Sequence, residues 1–158
     1  MSANDTKQRK IARGALRCRV LTPSKTVFDE MVESVALTTV KGTLEVFPRF
    51  EPTIAPLAVG LMRAKGDDGG VTELAVHGGF MDMNGHVLVV LADSAEIGTE
   101  INVERARKAL ERAREKLAAL TSDDANSVKV DIDRAKLAML RALTRLEAVG
   151  EQIPPGSS

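Results

Sequence analysis

INVERARKALERAREKLAALTSDDANSVKVDIDRAKLAMLRALTRLEAV, residues 101–149, reads as two helices folded back on each other. In the first, apolar side chains fall at Val103, Ala106, Leu110, Ala113, Leu117 and Leu120. In the second they fall at Ile132, Ala135, Met139, Ala142, Leu146 and Val149. Both sets step by three and four residues in alternation, which puts each on one narrow helical stripe, the spacing of a coiled-coil seam. Neither helix is apolar all round, so neither is a core helix or a membrane span. Each needs a partner, and the polar stretch Thr121–Ser127 is short enough to make the two antiparallel neighbours. The alanines on both seams allow the backbones to approach closely. A hairpin this thin buries little, so it reads as an appendage on a larger body, able to lie down on it or swing away.

That body is the first hundred residues. Leu16–Leu21 alternates apolar and polar, the pattern of a half-buried strand. Thr22–Lys25 is a turn, and strands follow over Thr26–Phe28, Met31–Thr38 and Thr43–Phe47, with a turn at Lys41-Gly42. Pro48, Pro52 and Pro56 then recur every four residues, which denies a helix and a central strand and predicts an irregular or edge segment. Val59–Ala64 and Val71–Val76 form a hairpin around Lys65–Gly70. Gly78–Met83 and His86–Leu91 form another around Asn84-Gly85, a dipeptide suited to a type I′ turn with positive φ at both positions. Many short strands without an intervening helix indicate an antiparallel sandwich or barrel. The expected layout is a flexible basic tail (1–14), an N-terminal antiparallel β-sandwich (15–98), a C-terminal antiparallel two-helix hairpin (99–150) and a disordered end (151–158).

Composition narrows the function. The 158 residues carry 22 Lys+Arg against 22 Asp+Glu, and aromatics make up 3% with no Trp or Tyr. Zero net charge and scarce aromatics argue against a nucleic-acid binder. The start, with Lys7, Arg9, Lys10 and Arg13, lacks an apolar stretch and is not a secretory signal. Cys18 stands alone and offers neither an internal disulfide nor a structural zinc site. No nucleophile elbow, Walker loop or dinucleotide fingerprint is present. His77 and His86 make a weak metal pair with no third ligand in view. A catalytic site and a metal site are therefore not expected; a binding or coupling module is.

The chain resembles the epsilon subunit of F-type ATP synthase over about Leu16–Val149. The residues that carry the resemblance are Val20-Leu21-Thr22-Pro23, Val27-Phe28-Asp29-Glu30, Phe47-Pro48 with Pro52 and Pro56-Leu57, Val76-His77-Gly78-Gly79-Phe80-Met81-Asp82, Val87–Leu91 with Ala92-Asp93-Ser94-Ala95-Glu96, Ile101–Ala106, Asp131–Ala135 and Leu140–Leu146. The resemblance implies a non-catalytic rotor subunit of a proton-translocating complex, peripheral on the cytoplasmic face of the bacterial inner membrane and not inserted in it. It implies a sandwich that docks on the gamma subunit and the c-ring, and a hairpin that either folds down or extends among the alpha and beta subunits to restrain ATP hydrolysis. No tightly bound cofactor is implied. ATP is implied as a regulatory ligand of the folded hairpin in some bacterial members, and that nucleotide-binding set maps onto Glu96, Asn102, Arg105, Arg141 and Arg145. Position 102 is an acid in the family and Asn here, which also suits a helix N-cap. In the loop facing the rotor, Glu45 and Arg49 stand where the family has glycines and Phe50 where it has His. Arg49, Phe50 and His77 are therefore expected at a partner surface, Phe50 either as an exposed anchor or as a core residue. Two alternatives stay open: a stand-alone ATP sensor, on the strength of the arginine set, and an unrelated sandwich-plus-coiled-coil adaptor, on the physical reading alone.

Overall fold

The structure, a computed structural model, describes residues 2, 5, 14–120 and 125–151. Apart from Ser2, Asp5 and Gly14, the basic tail expected over 1–14, together with the start of the connection at Thr121 and the free end beyond Glu151, lies outside the described residues.

Eight strands come first: β1 (Leu16–Leu21), β2 (Thr26–Val32), β3 (Ser34–Thr39), β4 (Gly42–Val46), β5 (Phe50–Lys65), β6 (Val71–Gly85), β7 (Val87–Ala92) and β8 (Ala95–Ile97). A 3-10 turn at Gly98–Glu100 leads into two helices, α1 (Val103–Ala119) and α2 (Ala125–Ala148). The strands are hydrogen-bonded in the order β2-β1-β7-β6-β5-β3-β4, with β8 added to β6. β5 and β6 are long because each belongs to both layers of the sandwich. The second half of β6 (Gly79–Asn84) pairs with β7, while its first half, at Leu74–Val76, pairs with β8.

This sharing explains where the strand pattern departs from the expected one. Val76 and Met81 both face the core, five residues apart, so strict alternation is broken between them. The break sits at Gly78 and Gly79, which take positive φ values of 79° and 110°. A Cβ at Gly79 would lie 2.0 Å from the Leu91 carbonyl oxygen, so only glycine lets β6 cross β7 there. What reads as two strands is thus one bent strand, and β5 likewise extends the expected strand at Val59–Ala64 back through the proline-containing segment to Phe50. The prolines fit an edge: Pro52 lies in Phe50–Ala55, which pairs only with β6, and Pro56 meets the β3 side through its carbonyl, which accepts the Val40 N–H at 3.2 Å and needs no N–H from the proline. The sandwich is not wholly antiparallel: β1 and β7 run parallel, Arg17–Leu21 beside Val87–Leu91. The β6–β7 turn is centred one residue later than expected, since Asn84 pairs with Val87, and positive φ is confined to Gly85. It is not a type I′ turn.

The core between the layers is built from residues such as Leu16, Cys18, Val20, Val35, Leu74, Met83 and Leu88, all fully buried. A second, separate cluster joins the hairpin to the outside of the sandwich: Ala106 and Leu110 of α1, Ala142, Leu146 and Ala148 of α2, Ile101 and Ala75, with Leu61 packed against them. All twelve expected seam positions are buried or half-buried. α2 begins at Ala125, inside the expected connection. It ends in a Schellman motif, in which Gly150 takes φ 82° and the Glu151 and Gly150 amides bond the Leu146 and Glu147 carbonyls at 3.0 and 2.9 Å. The Glu151 carboxylate then pairs with Arg107 of α1 and closes the open end of the hairpin.

Candidate functional site

The alternation of β5 and β6 sends Met62, Ala64, Leu74 and Val76 into the sandwich core and leaves Leu61, Ala75 and His77 on the opposite face. α2 lies across that face. Close approach is possible because the contact residues are small: Ala75 and Ala142 are fully buried. At Gly98 there is no room for a side chain, since a Cβ there would stand 2.1 Å from the Ala148 carbonyl oxygen and 3.2 Å from that of Glu73.

Beside this seat, Arg145 Nε donates to Glu96 Oε1 at 2.7 Å and ties α2 to β8. The pair forms one wall of a cleft of about 440 Å³ whose other walls include Asn102, Arg105 and Arg112 of the α1 side. Asn102 caps α1: its Oδ1 accepts the Arg105 N–H at 2.9 Å. Four of the five nucleotide-set residues therefore meet at one cleft, and Arg141 does not. Arg141 lines the adjoining groove between α1 and α2, of about 800 Å³. That groove has an alanine floor that includes the buried Ala113 and Ala135, and its rim carries Arg112, Lys116, Arg134, Arg141 and Arg145 against Glu115. Arg112 borders both spaces. Sequence reasoning passed over it as one basic residue on a basic helix; its place one turn beyond Ala109 and beside the seam residue Ala113 was the available signal. The arrangement offers guanidinium forks suited to an anion such as a phosphate. It offers no nucleophile–base pair. Among the described residues no group of three His, Cys, Asp or Glu stands close enough to hold a metal ion.

His77 does not reach an outer surface in this arrangement; at 2% exposure it lies under α2. Its Nδ1 is 2.8 Å from Ser94 Oγ, and its buried Nε2 has no hydrogen-bond partner. Burial, followed by the charge of Arg145, lowers its pKa to about 4, with Glu96 opposing. Arg49 is exposed, in the left-handed region at φ 65°, and its amide bonds the Gly85 carbonyl at 2.7 Å. Phe50 is half-buried and packs against the sandwich core. The exposed apolar surface lies elsewhere. Register places Pro56 beside Phe80, Phe80 beside Leu91 and Leu91 beside Leu21, so these four form one row across the sheet. Phe80 is 57% exposed, Leu91 53% and nearby Ile54 74%. A contiguous apolar row of this kind marks an interaction surface. Each of its members sits on a different strand, so the row was not visible along the chain.

Comparison with known proteins follows the same division. A family described as ATP synthase, Delta/Epsilon chain, beta-sandwich domain matches residues 15–98, and one described as ATP synthase, Delta/Epsilon chain, long alpha-helix domain matches residues 99–150. The chain is 39% identical over 136 residues to the ATP synthase epsilon chain of Halalkalibacterium halodurans, covering 85% of this chain and 97% of that one. It is 38% identical to the epsilon chain of Bacillus velezensis, again covering 85% and 97%. Among solved structures, a chain of the Euglena gracilis mitochondrial ATP synthase has the same fold, with a TM-score of 0.71 at 24% identity over 87% of this chain and 82% of that one.

Proposed function

The chain belongs to the ATP synthase delta/epsilon family, in which its curated relatives are epsilon chains, and on that premise we propose that it is a non-catalytic subunit of the rotor whose hairpin restrains ATP hydrolysis. The sandwich docks on the gamma subunit and the c-ring, and the hairpin reaches the alpha and beta subunits when it extends. The observation that carries this reading is the separation of the two apolar clusters. The sandwich core is complete without the hairpin, so the hairpin can leave its seat at the expense of the outer contact alone. Its basic α1, with Arg105, Arg107, Lys108, Arg112, Arg114 and Lys116, favours an acidic surface once released. No helix among the described residues is long and apolar enough to cross a membrane, in keeping with a peripheral place on the coupling membrane.

The apolar row through Phe80 and Leu91 is the proposed gamma-docking face, in place of Phe50. The cleft bounded by Glu96, Asn102, Arg105 and Arg145 is the proposed seat of a regulatory ATP. A nucleotide there bridges both helices and β8, and so holds the hairpin down. Part of the Arg145 charge is already neutralised by Glu96, so affinity rests on Arg105 and Arg112 as well. Co-purification of the full chain with cognate gamma tests the rotor assignment, and failure to associate overturns it. Calorimetry on the full chain tests the ATP seat. Saturable binding that weakens at least tenfold in Arg145→Ala supports it, and no heat at millimolar ATP removes it.

A further inference from the structure

Among the described residues, His77 is a buried ionisable group that lies between the two bodies of the protein. The groups facing it come from three sides. Ser94, on the turn between β7 and β8, meets its Nδ1 at 2.8 Å. Glu96 of β8 and Arg141 and Arg145 of α2 supply the charges around it, and Asp93 stands beside the next residue, Gly78. From β5 it is opposed by the apolar Val59. Nε2 is closed off from water and points towards the Arg141 backbone without a formed hydrogen bond.

We propose that His77 is an acid-sensitive latch: as a neutral imidazole it lets α2 lie on β5 and β6, and its protonation lifts the hairpin from the sandwich. A proton on the ring adds a buried cation beneath two guanidinium groups; Glu96, itself shared with Arg145, and the Arg141 backbone oppose this effect but do not outweigh burial and the two charges. Lifting α2 removes both arginines from above the ring and admits water, so the imidazolium is far better accommodated in the undocked state. The inference rests on the hairpin being able to leave its seat, as in the function proposed above.

The sign follows from the two protonation equilibria. Docked, the ring titrates near 4; undocked and solvated, it titrates near the ordinary value of about 6.5. Docking is therefore at full strength above about pH 6.5 and weakens as pH falls toward 4. Between pH 7 and pH 5 the undocked-to-docked ratio rises roughly twentyfold.

The test uses the full chain alone, with nitroxides on the exposed positions Lys136 of α2 and Lys25 of the sandwich, read as a distance distribution by pulsed electron resonance from pH 7.5 to 5. The expected result is a long-distance population that grows on acidification in the parent and stays constant in His77→Gln. NMR of the parent imidazole is the second readout, with a midpoint well below 6.5 expected. An equal pH response in both proteins, no response in the parent, or an ordinary His77 midpoint overturns the latch. Because gamma and the catalytic core are absent, these outcomes leave the brake to be judged separately by hydrolysis. A pH-dependent distance in a chain that fails to inhibit supports the latch and removes only the brake.

Discussion

Replacing Gly98 by alanine adds one methyl group where the end of α2 meets the sandwich backbone with no space between. The new Cβ would lie 2.1 Å from the Ala148 carbonyl oxygen, 2.9 Å from its carbonyl carbon and 3.2 Å from the Glu73 carbonyl oxygen. All three are backbone atoms, in α2 and β6, so no side chain can turn aside. Ordinary contact begins at 3.4 Å, so the end of α2 must lift by about 1 Å. Overpacking of this kind costs about 1–3 kcal/mol, which lowers the docked-to-undocked ratio roughly 5- to 150-fold. The added methyl meets only backbone of Ala148 and Glu73 and none of the sandwich-core side chains. Amide hydrogen exchange reads the two regions separately. In Gly98→Ala, protection is expected to fall by that factor across Ala142–Leu146 and to remain unchanged at Leu88 and Val90 of β7. Equal protection of α2 in mutant and parent refutes the reasoning, and parallel loss in β7 shows that the two clusters are not independent.

Asn102→Ala removes the acceptor for the Arg105 amide and should destabilise α1 by about 1 kcal/mol, while Asn102→Asp keeps the cap; helicity by circular dichroism on the full chain distinguishes them. Cys18 is fully buried, and burial, reinforced by Asp29, pushes its thiol pKa far up. It should therefore resist alkylation at pH 8 in the native chain and react only after denaturation. Phe80→Asp in the exposed apolar row should leave the midpoint of urea unfolding within a few tenths of a molar of the parent, yet weaken binding to cognate gamma by about thirtyfold or more, as expected of a central apolar anchor.

The hairpin was legible because its signal is local. A stripe spaced by three and four residues needs only the helix itself to be interpreted, and every seam residue from Val103 to Val149 lies on the expected side. Leu16–Leu21 was legible for the same reason, with its alternation running unbroken. The bent strands were not, because Gly78 and Gly79 shift the phase of β6 midway, and a shifted alternation looks like two strands. The parallel pairing of β1 with β7 joins residues some seventy positions apart and leaves no local trace. At the site, Asn102 and Arg105 could be placed together from their spacing, and Glu96 and Arg145 only through the family resemblance. That Arg145 is bound to Glu96, that Arg112 borders the cleft and that His77 lies beneath α2 all depend on how the hairpin settles on β5 and β6. Phe50 read equally well as anchor or core; it stands beside Gly85, half-buried against the sandwich core.

The central claim is that the hairpin is a detachable brake on a self-sufficient sandwich. ATP hydrolysis by the cognate alpha–beta–gamma core tests it most directly, measured with no addition, with the full chain, and with a chain ending near Thr99. The account predicts that both forms bind the core and that only the full chain slows hydrolysis. Equal rates with both forms bound, or binding by neither, would contradict it.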